Sequence, residues 1–474
     1  MSTSSAQQET PRERSGRAIV IGGSMAGSLA AAALSRHFAE VTVLDRDAFP
    51  EKPDHRKGVP HGHHFHALLA GGREAIDSLL PDFSRRAVED GAHTLSVTAD
   101  VRYRQRCGWM PRFPGALEVV MASRPFIEWT VRELAGQIDG IHYRPRTSVL
   151  GLRLADGRVT GVSVKDEQSG AESDLDADLV VDASGRNSKA SSWLRELGYP
   201  SPSETTVNAH WGYSSVFVRV PKGWDPGFRA MYTPPLGEGA PEGGARTRGC
   251  AMWVQEGEDR WIFTVQGAAG DYPPRDEAGL RAYVATIGVA EVDAAVAEFE
   301  FISPVQVWRD TTNRLRDYAN LAMRPENFVL LGDSVAAFNP VYGQGMTMAA
   351  ISAVTLDREL QNVPSTRPDA LAGLAERFQK SLDGSIQFCW STSTGQDYRV
   401  PGVELMVDGQ AQPSPAGEAE FSDRLLAFVS RDRETYEKFM ETTQLIRSPE
   451  WLAGDEVVSA IQADWDELGK LVLR

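Results

Sequence analysis

The chain has 474 residues with 65 acidic and 49 basic side chains, a formal net charge of −16, and that acidity opposes nucleic-acid binding, which needs a basic surface. With 42% hydrophobic and 24% charged residues, the composition is that of an ordinary globular protein and excludes wholesale disorder or collagen-like repetition. No apolar run approaches the ~18 to 20 residues that cross a bilayer, so no membrane span is expected.

Residues 1–16, MSTSSAQQETPRERSG, are polar and lack the apolar core of a secretory signal; they read as a disordered leader. Arg17–Ile21 (RAIVI) reads as a strand. Gly22-Gly23-Ser24-Met25-Ala26-Gly27 then opens an alanine-rich helical pattern, SLAAAALSRHF, and Val41–Leu44 (VTVL) runs into Asp45. Strand, glycine turn, helix, strand, acid is the order of a dinucleotide-binding unit. Gly22 permits the tight turn, small Ser24 (in the place of the usual second glycine) allows close approach of a pyrophosphate, and Gly27 lets helix and strand pack closely. The helix start around Met25 and Ala26 offers free N–H groups and a positive dipole end to phosphates. Asp45, about 23 residues after Gly22, can accept from a ribose hydroxyl and disfavours a 2′-phosphate; Arg46 adjoins it. No second glycine fingerprint of this kind follows, so an independent nicotinamide domain is not expected.

Asp54–Leu69 reads DHRKGVPHGHHFHALL, with histidines at 55, 61, 63, 64 and 66. Imidazole is a common metal ligand, but no cysteine or paired acid lies nearby, and no metal site is read here. Ser123-Arg124-Pro125 precedes FIEWTVRELA, a periodic helix. Residues 148–166 predict a hairpin turning at Asp156-Gly157. Asp178–Asp182 (DLVVD) is a buried-strand pattern running into Ala183-Ser184-Gly185-Arg186-Asn187-Ser188. Residues 208–220 and 250–267 are strand patterns carrying His210, Trp211, Tyr213, Trp253, Trp261 and Phe263, separated by the glycine-rich PPLGEGAPEGGARTRG. They predict a sheet roofing a substrate cavity, with Trp211, Tyr213, Trp253 and Phe263 as candidate substrate contacts and Trp308 at the return to the nucleotide domain. Asn327–Leu331 (NFVLL) is another buried strand, followed by Gly332-Asp333-Ser334, then Phe338-Asn339-Pro340-Val341-Tyr342-Gly343-Gln344-Gly345-Met346 and a helical pattern over 349–362. Helix continues over 367–390, a loop is expected at 400–416, and the tail carries acidic amphipathic helices such as VVSAIQADWDELGKLVL. The three cysteines, Cys107, Cys250 and Cys389, are widely separated, which argues against a disulfide framework and fits a reduced, cytoplasmic protein.

The blocks around Gly22, Asp333 and Gly343, in this order and spacing, resemble the flavin monooxygenase family typified by para-hydroxybenzoate hydroxylase and squalene epoxidase. The resemblance implies FAD as cofactor. Asp333, after Gly332, would bind the ribityl chain, and the turn Pro340–Gly345 would pack against the isoalloxazine ring. Gly343 and Gly345 let backbone N–H groups approach a flat ring, and the helix from Gln344-Gly345-Met346 aims its positive end at it. Arg124 matches a family arginine that reaches the cofactor, and its fork suits pyrophosphate or flavin oxygens. The stretch from Arg56 is similar to one in bacterial flavin epoxidases of polyether biosynthesis. That similarity implies a loop covering the flavin, with Arg56 and Lys57 neutralising cofactor charge. His64 and His66 then either line the active-site wall or are satisfied core histidines.

The expected fold is α/β: a Rossmann-like FAD-binding domain with an inserted mixed β-sheet substrate domain and a helical C-terminal region. The expected organisation assigns cofactor-binding blocks to 17–100, 121–200 and 311–365, substrate-side segments to 101–120 and 201–310, and the helical region to 366–474. The expected activity is insertion of one atom of O2 through a flavin C4a-hydroperoxide. Such chemistry needs exclusion of water and placement of the acceptor more than acid–base groups, so the backbone at Pro340, Gly343 and Gly345 is the candidate catalytic face. An apolar substrate, an alkene of a polyketide or terpenoid precursor undergoing epoxidation, is the first expectation. Aromatic hydroxylation, or a flavin reductase or oxidase without oxygen insertion, is the alternative. Electrons would come from NAD(P)H visiting transiently or from a partner flavin reductase. The Trp-x-Trp-x-Ile-Pro motif of flavin halogenases is absent.

Overall fold

A computed structural model describes residues 14–237, 244, 246–415 and 419–472. Most of the expected leader, and the centre of the glycine-rich segment between the two aromatic strands, lie outside the described residues.

The apolar run RAIVI forms β1 (Arg17–Ile21), with Ala18 to Ile21 all buried. A strand buried on both faces belongs in a parallel sheet covered by helices. β1 is central in a five-stranded parallel sheet with β2 (Glu40–Leu44), β3 (Ile141–Arg144), β4 (Leu179–Asp182) and β5 (Phe328–Leu330), in the order β5-β4-β1-β2-β3. The register aligns Ile21 with Asp182 and Leu44, and Asp182 with Leu330. Four strands therefore finish level, and the turns after them, at Gly22, Asp45, Ala183 and Leu331, share one rim. Open α/β sheets bind ligands at this carboxyl edge.

Helices pack in layers beside that sheet. α1 (Met25–Leu34) is buried on nearly every side, its alanines allowing close packing against α2 (Arg124–Gly136) and α3 (Gly345–Gln361). α4 (Leu374–Asp397) lies against α3 and β5. The expected hairpin forms from Thr147–Ala155 and Arg158–Asp166, with Asp156 and Gly157 at φ +49° and +75°, and Glu172–Asp176 adds a third strand.

The second large sheet is mainly antiparallel. Its centre is Gly212–Arg219, Arg260–Gly267 and Arg248–Val254, extended by Ala230–Thr233 and by Val101–Gln105, which joins in parallel. Two helices in this segment, Glu277–Ala285 and Ala290–Ala297, were not anticipated. The first is capped by Asp276 Oδ1, which accepts from Gly279 N at 2.9 Å, and buries Leu280, Tyr283 and Val284; that helical spacing was overshadowed by the neighbouring strands.

Two further expectations change. The loop expected at 400–416 contains a hairpin, Glu404–Val407 with Gln410–Gln412, docked on the strand Glu204–Asn208. Asp408-Gly409 is its turn, both residues in the left-handed region, a strong hairpin signal. The pattern VVSAIQADWDELGKLVL is two helices, Asp455–Ala463 and Trp465–Val472, broken at Asp464, whose carbonyl accepts from Leu468 N. Among the described residues no helix is long and apolar enough to cross a membrane.

Candidate functional site at the carboxyl edge of the parallel sheet

Gly22 turns the chain at φ +100°, and a Cβ there would lie 2.6 Å from the Ala183 carbonyl oxygen. A Cβ on Gly27 would fall 1.7 Å from the Gly22 carbonyl oxygen, so the helix can approach the strand only as glycine. Ser24 caps α1 without a side-chain capping bond. Its hydroxyl instead donates to Glu128 Oε2 at 2.7 Å and accepts from Arg124 Nη2 at 2.8 Å, tying the first turn to α2.

Glu128 carries no signal in the linear sequence beyond lying one helical turn after Arg124. In the fold it joins two arginines: Oε2 pairs with Arg124 at 2.9 Å and Oε1 with Arg56 at 2.9 Å. Burial opposes its charge, but the Arg124 and Arg56 guanidiniums and the Ser24 hydroxyl together hold its carboxyl down at about 2. Arg56 also meets Asp45 and Asp47, each at 3.1 Å. It was expected to neutralise cofactor charge; three carboxylates already neutralise it. Asp45 receives Gly23 N at 2.8 Å and Asp47 N at 2.9 Å as well.

After β5 the chain turns through Gly332-Asp333-Ser334. The Asp333 carboxylate accepts no hydrogen bond from any described residue, and burial raises its pKa, against the pull of Arg186 and Arg124. A Cβ on Gly345 would lie 3.6 Å from Asp333 Oδ1, so the two turns adjoin. Pro340–Tyr342 is one turn of 3₁₀ helix, initiated by Asn339 Oδ1 accepting from Val341 N and ended by Gly343 at φ +68°. Behind it, in α4, the buried Asp397 accepts from Tyr342 Oη and Trp211 Nε1, each at 2.8 Å, from Asn313 Nδ2 at 2.6 Å and from Asn339 Nδ2 at 3.2 Å. Burial raises its carboxyl to about 6, the four donors pulling the other way.

These turns enclose a cavity of about 560 Å3. Its wall includes Gly22, Ser24, Met25 and Ala26 from the first turn, Asp45 and Arg46 after β2, Arg56 and Arg124. It also includes Asp333, Pro340, Gly343, Gln344, Gly345 and Met346. Gly27 and Gly332 stand behind it; a Cβ on Gly332 would meet Ala26 at 3.2 Å. Lys57 is exposed and outside the wall, so the expected second cation is not contributed. His61, Trp308 and Arg186, which had no assigned site role, line the cavity. Arg186 is anchored by the carbonyls of Thr312 at 2.6 Å and Phe338 at 3.1 Å.

The histidines separate. His55 and His63 stack on each other with centroids 3.5 Å apart. His64 is buried, its Nδ1 2.9 Å from Ser215 Oγ and its ring edge-on to Tyr213. His66 lines the cavity, with Nδ1 2.9 Å from the His64 carbonyl. Among the described residues no three His, Cys, Asp or Glu converge as a metal set.

The aromatic residues expected to contact substrate do not reach this cavity. Trp253 and Phe263 pack in the core of the second sheet, Trp253 stacked on Phe65 at 4.7 Å. Trp211 packs with Ala209 and Ala268. The strands carrying Trp253 and Phe263 are buried on both faces, so these two side chains pack in the core.

The chain matches the model of a FAD binding domain over residues 124–374. It is 32% identical over 372 residues to Protein Rv3254 of Mycobacterium tuberculosis, covering 76% of each chain. It is 26% identical over 385 residues to a kynurenine 3-monooxygenase of Salinispora arenicola, covering 76% of this chain and 74% of that one. The flavin-dependent brominase Bmp2 has the same fold, with a TM-score of 0.62 at 13% identity over 95% of this chain and 98% of that one. With the nucleotide turn, the Asp333 turn and the glycine turn meeting at one cavity, the chain belongs to the FAD-binding family of the para-hydroxybenzoate hydroxylase type of flavin monooxygenases.

Proposed function

We propose that the protein is an FAD-dependent monooxygenase that inserts one oxygen atom into a small apolar molecule, with an alkene of a polyketide or terpenoid precursor as the acceptor. The observation that carries the reading is the Asp333 carboxylate: half-buried in the cavity wall and accepting no hydrogen bond from any described residue. An unpaired carboxylate there is costly unless a ligand supplies donors, and the ribityl hydroxyls of FAD are such donors. The residues present fit the cofactor. The N–H groups at the start of α1 and the Arg124 fork would hold the pyrophosphate, Asp45 would take a ribose hydroxyl, and the glycines at 343 and 345 leave room for a flat ring.

Bound FAD supplies the redox chemistry, accepting two electrons from NAD(P)H or a partner flavin reductase and passing them to O2. The chain's own contribution is placement. The Glu128 bridge holds Arg124 and Arg56 in fixed orientation, so Arg124 meets the cofactor already paired. Asp397 holds Tyr342 and Asn339, and with them the turn from Pro340 to Gly343, against the cavity. Trp308, Phe338 and Pro340 give that end an apolar lining that excludes water.

The test is purification followed by FAD addition, reduction by NADH, NADPH or a flavin reductase without oxygen, and exposure to 18O2 with candidate polyenes and phenols. Yellow protein and 18O in an organic product are expected. Failure to take up flavin, or label appearing in water only, would overturn the reading.

A further inference from the structure

We propose that His66 is a specificity-determining hydrogen-bond acceptor, and that the substrate carries a hydroxyl group directed at its Nε2. This rests on the monooxygenase reading above and adds a chemical requirement on the substrate, whatever its carbon frame. The argument begins with the tautomer. His66 Nδ1 lies 2.9 Å from the His64 carbonyl oxygen. A carbonyl only accepts, so Nδ1 carries the hydrogen, and in the neutral ring Nε2 is left with a lone pair. No described residue donates to that nitrogen.

The ring stays neutral. Burial first, then His61 and Arg124, hold its pKa well below the usual histidine value, with Glu128 and the His64 carbonyl opposing. His61 stands beside it, ring centroids 5.4 Å apart, and is itself pushed down to about 3 by burial and Arg124. Neither ring nitrogen of His61 has a hydrogen-bond partner among the described residues. The two rings therefore meet the cavity as uncharged imidazoles, beside the Arg124 and Arg186 guanidiniums.

Its place suits a substrate. The next residue, Ala67, meets the turn expected to carry the ring: a Cβ on Gly343 would lie 3.0 Å from the Ala67 Cβ. Trp308, edge-on to His61 with centroids 6.0 Å apart, completes the wall. A lone pair fixed in this position repels carboxylate and phosphate oxygens and accepts from O–H. A site built to bond a substrate hydroxyl strongly rejects the analogue lacking it, because the buried acceptor is then left unpaired.

The test uses the FAD-loaded full chain, titrated through its flavin absorbance with matched pairs: 1-naphthol against 1-methoxynaphthalene, and farnesol against its methyl ether. Wild-type protein is expected to prefer the hydroxyl member of at least one pair by about 10-fold or more. His66→Phe should bring the two members within about 2-fold while still loading FAD, and His66→Gln, which keeps an acceptor, should restore part of the preference. Nitrogen-15 NMR of the ring should show Nε2 unprotonated from pH 5 to 8. No hydroxyl preference in either pair, a preference surviving His66→Phe, or a proton on Nε2 overturns the proposal. So does loss of FAD from His66→Phe, which would give the acceptor to the cofactor. Wild-type protein that takes up no FAD would instead defeat the monooxygenase reading.

Discussion

Tyr342 donates its hydroxyl to Asp397 at 2.8 Å, joining the turn that borders the cavity to the end of α4, more than fifty residues further along the chain. The same carboxylate also receives Trp211, Asn313 and Asn339. One buried side chain thereby fixes the cavity turn, the start of the second sheet and α4 relative to each other. In Asp397→Asn an amide N–H2 faces donors, and we expect a loss of about 1–3 kcal/mol in stability by urea unfolding. The pH dependence has a definite sign. The carboxyl is raised from 3.8 to about 6, so the folded state holds its proton more tightly, and this group's contribution to stability falls as pH rises from about 4 to about 6. The Asn variant should lack that fall; an identical profile in both proteins would count against the raised carboxyl.

Glu128→Gln removes the carboxylate between Arg124 and Arg56. Arg56 retains Asp45 and Asp47, but Arg124 loses its carboxylate partner, and the cost should be roughly 3 kcal/mol at neutral pH. Because the folded carboxyl lies near 2 against an ordinary 4.5, its contribution is complete above about 4.5 and disappears as pH falls through about 2. The gap between wild type and variant, followed by chemical denaturation, should therefore narrow only in acid.

Asp333→Ala separates cofactor binding from folding. The carboxylate has no protein hydrogen bond to lose, and burial penalises its charge more than Arg186 and Arg124 favour it. The cofactor-free variant should melt at the same temperature or higher, while its FAD affinity, read by flavin fluorescence quenching, drops at least about tenfold. Unchanged affinity would remove Asp333 from the cofactor site.

Gly27→Val tests the first turn. A Cβ already falls 1.7 Å from a backbone oxygen, and backbone cannot yield as a side chain does. We expect either insoluble protein or destabilisation of more than about 3 kcal/mol, with no flavin retained. Soluble, yellow Gly27→Val would refute the close helix–strand contact.

The nucleotide unit, the Asp156-Gly157 hairpin and the two downstream glycine turns were legible in the linear chain because each is local. A run of apolar residues, a glycine and a following helix pattern sit within a few residues of each other, and their physics needs no distant partner. Glu128, His61 and Asp397 were not legible, because their surroundings are assembled from segments far apart in sequence. Arg56 illustrates the difference: its charge is evident from composition, but whether that charge is free for a ligand depended on Asp45, Asp47 and Glu128 converging on it. Aromatic residues such as Trp253 and Phe263 show the reverse, since a strand pattern reveals that a side chain is buried without saying whether it faces a core or a cavity. Short-range backbone geometry follows from residue order; burial, pairing and protonation follow from what the fold brings alongside, and that depends on the whole chain at once.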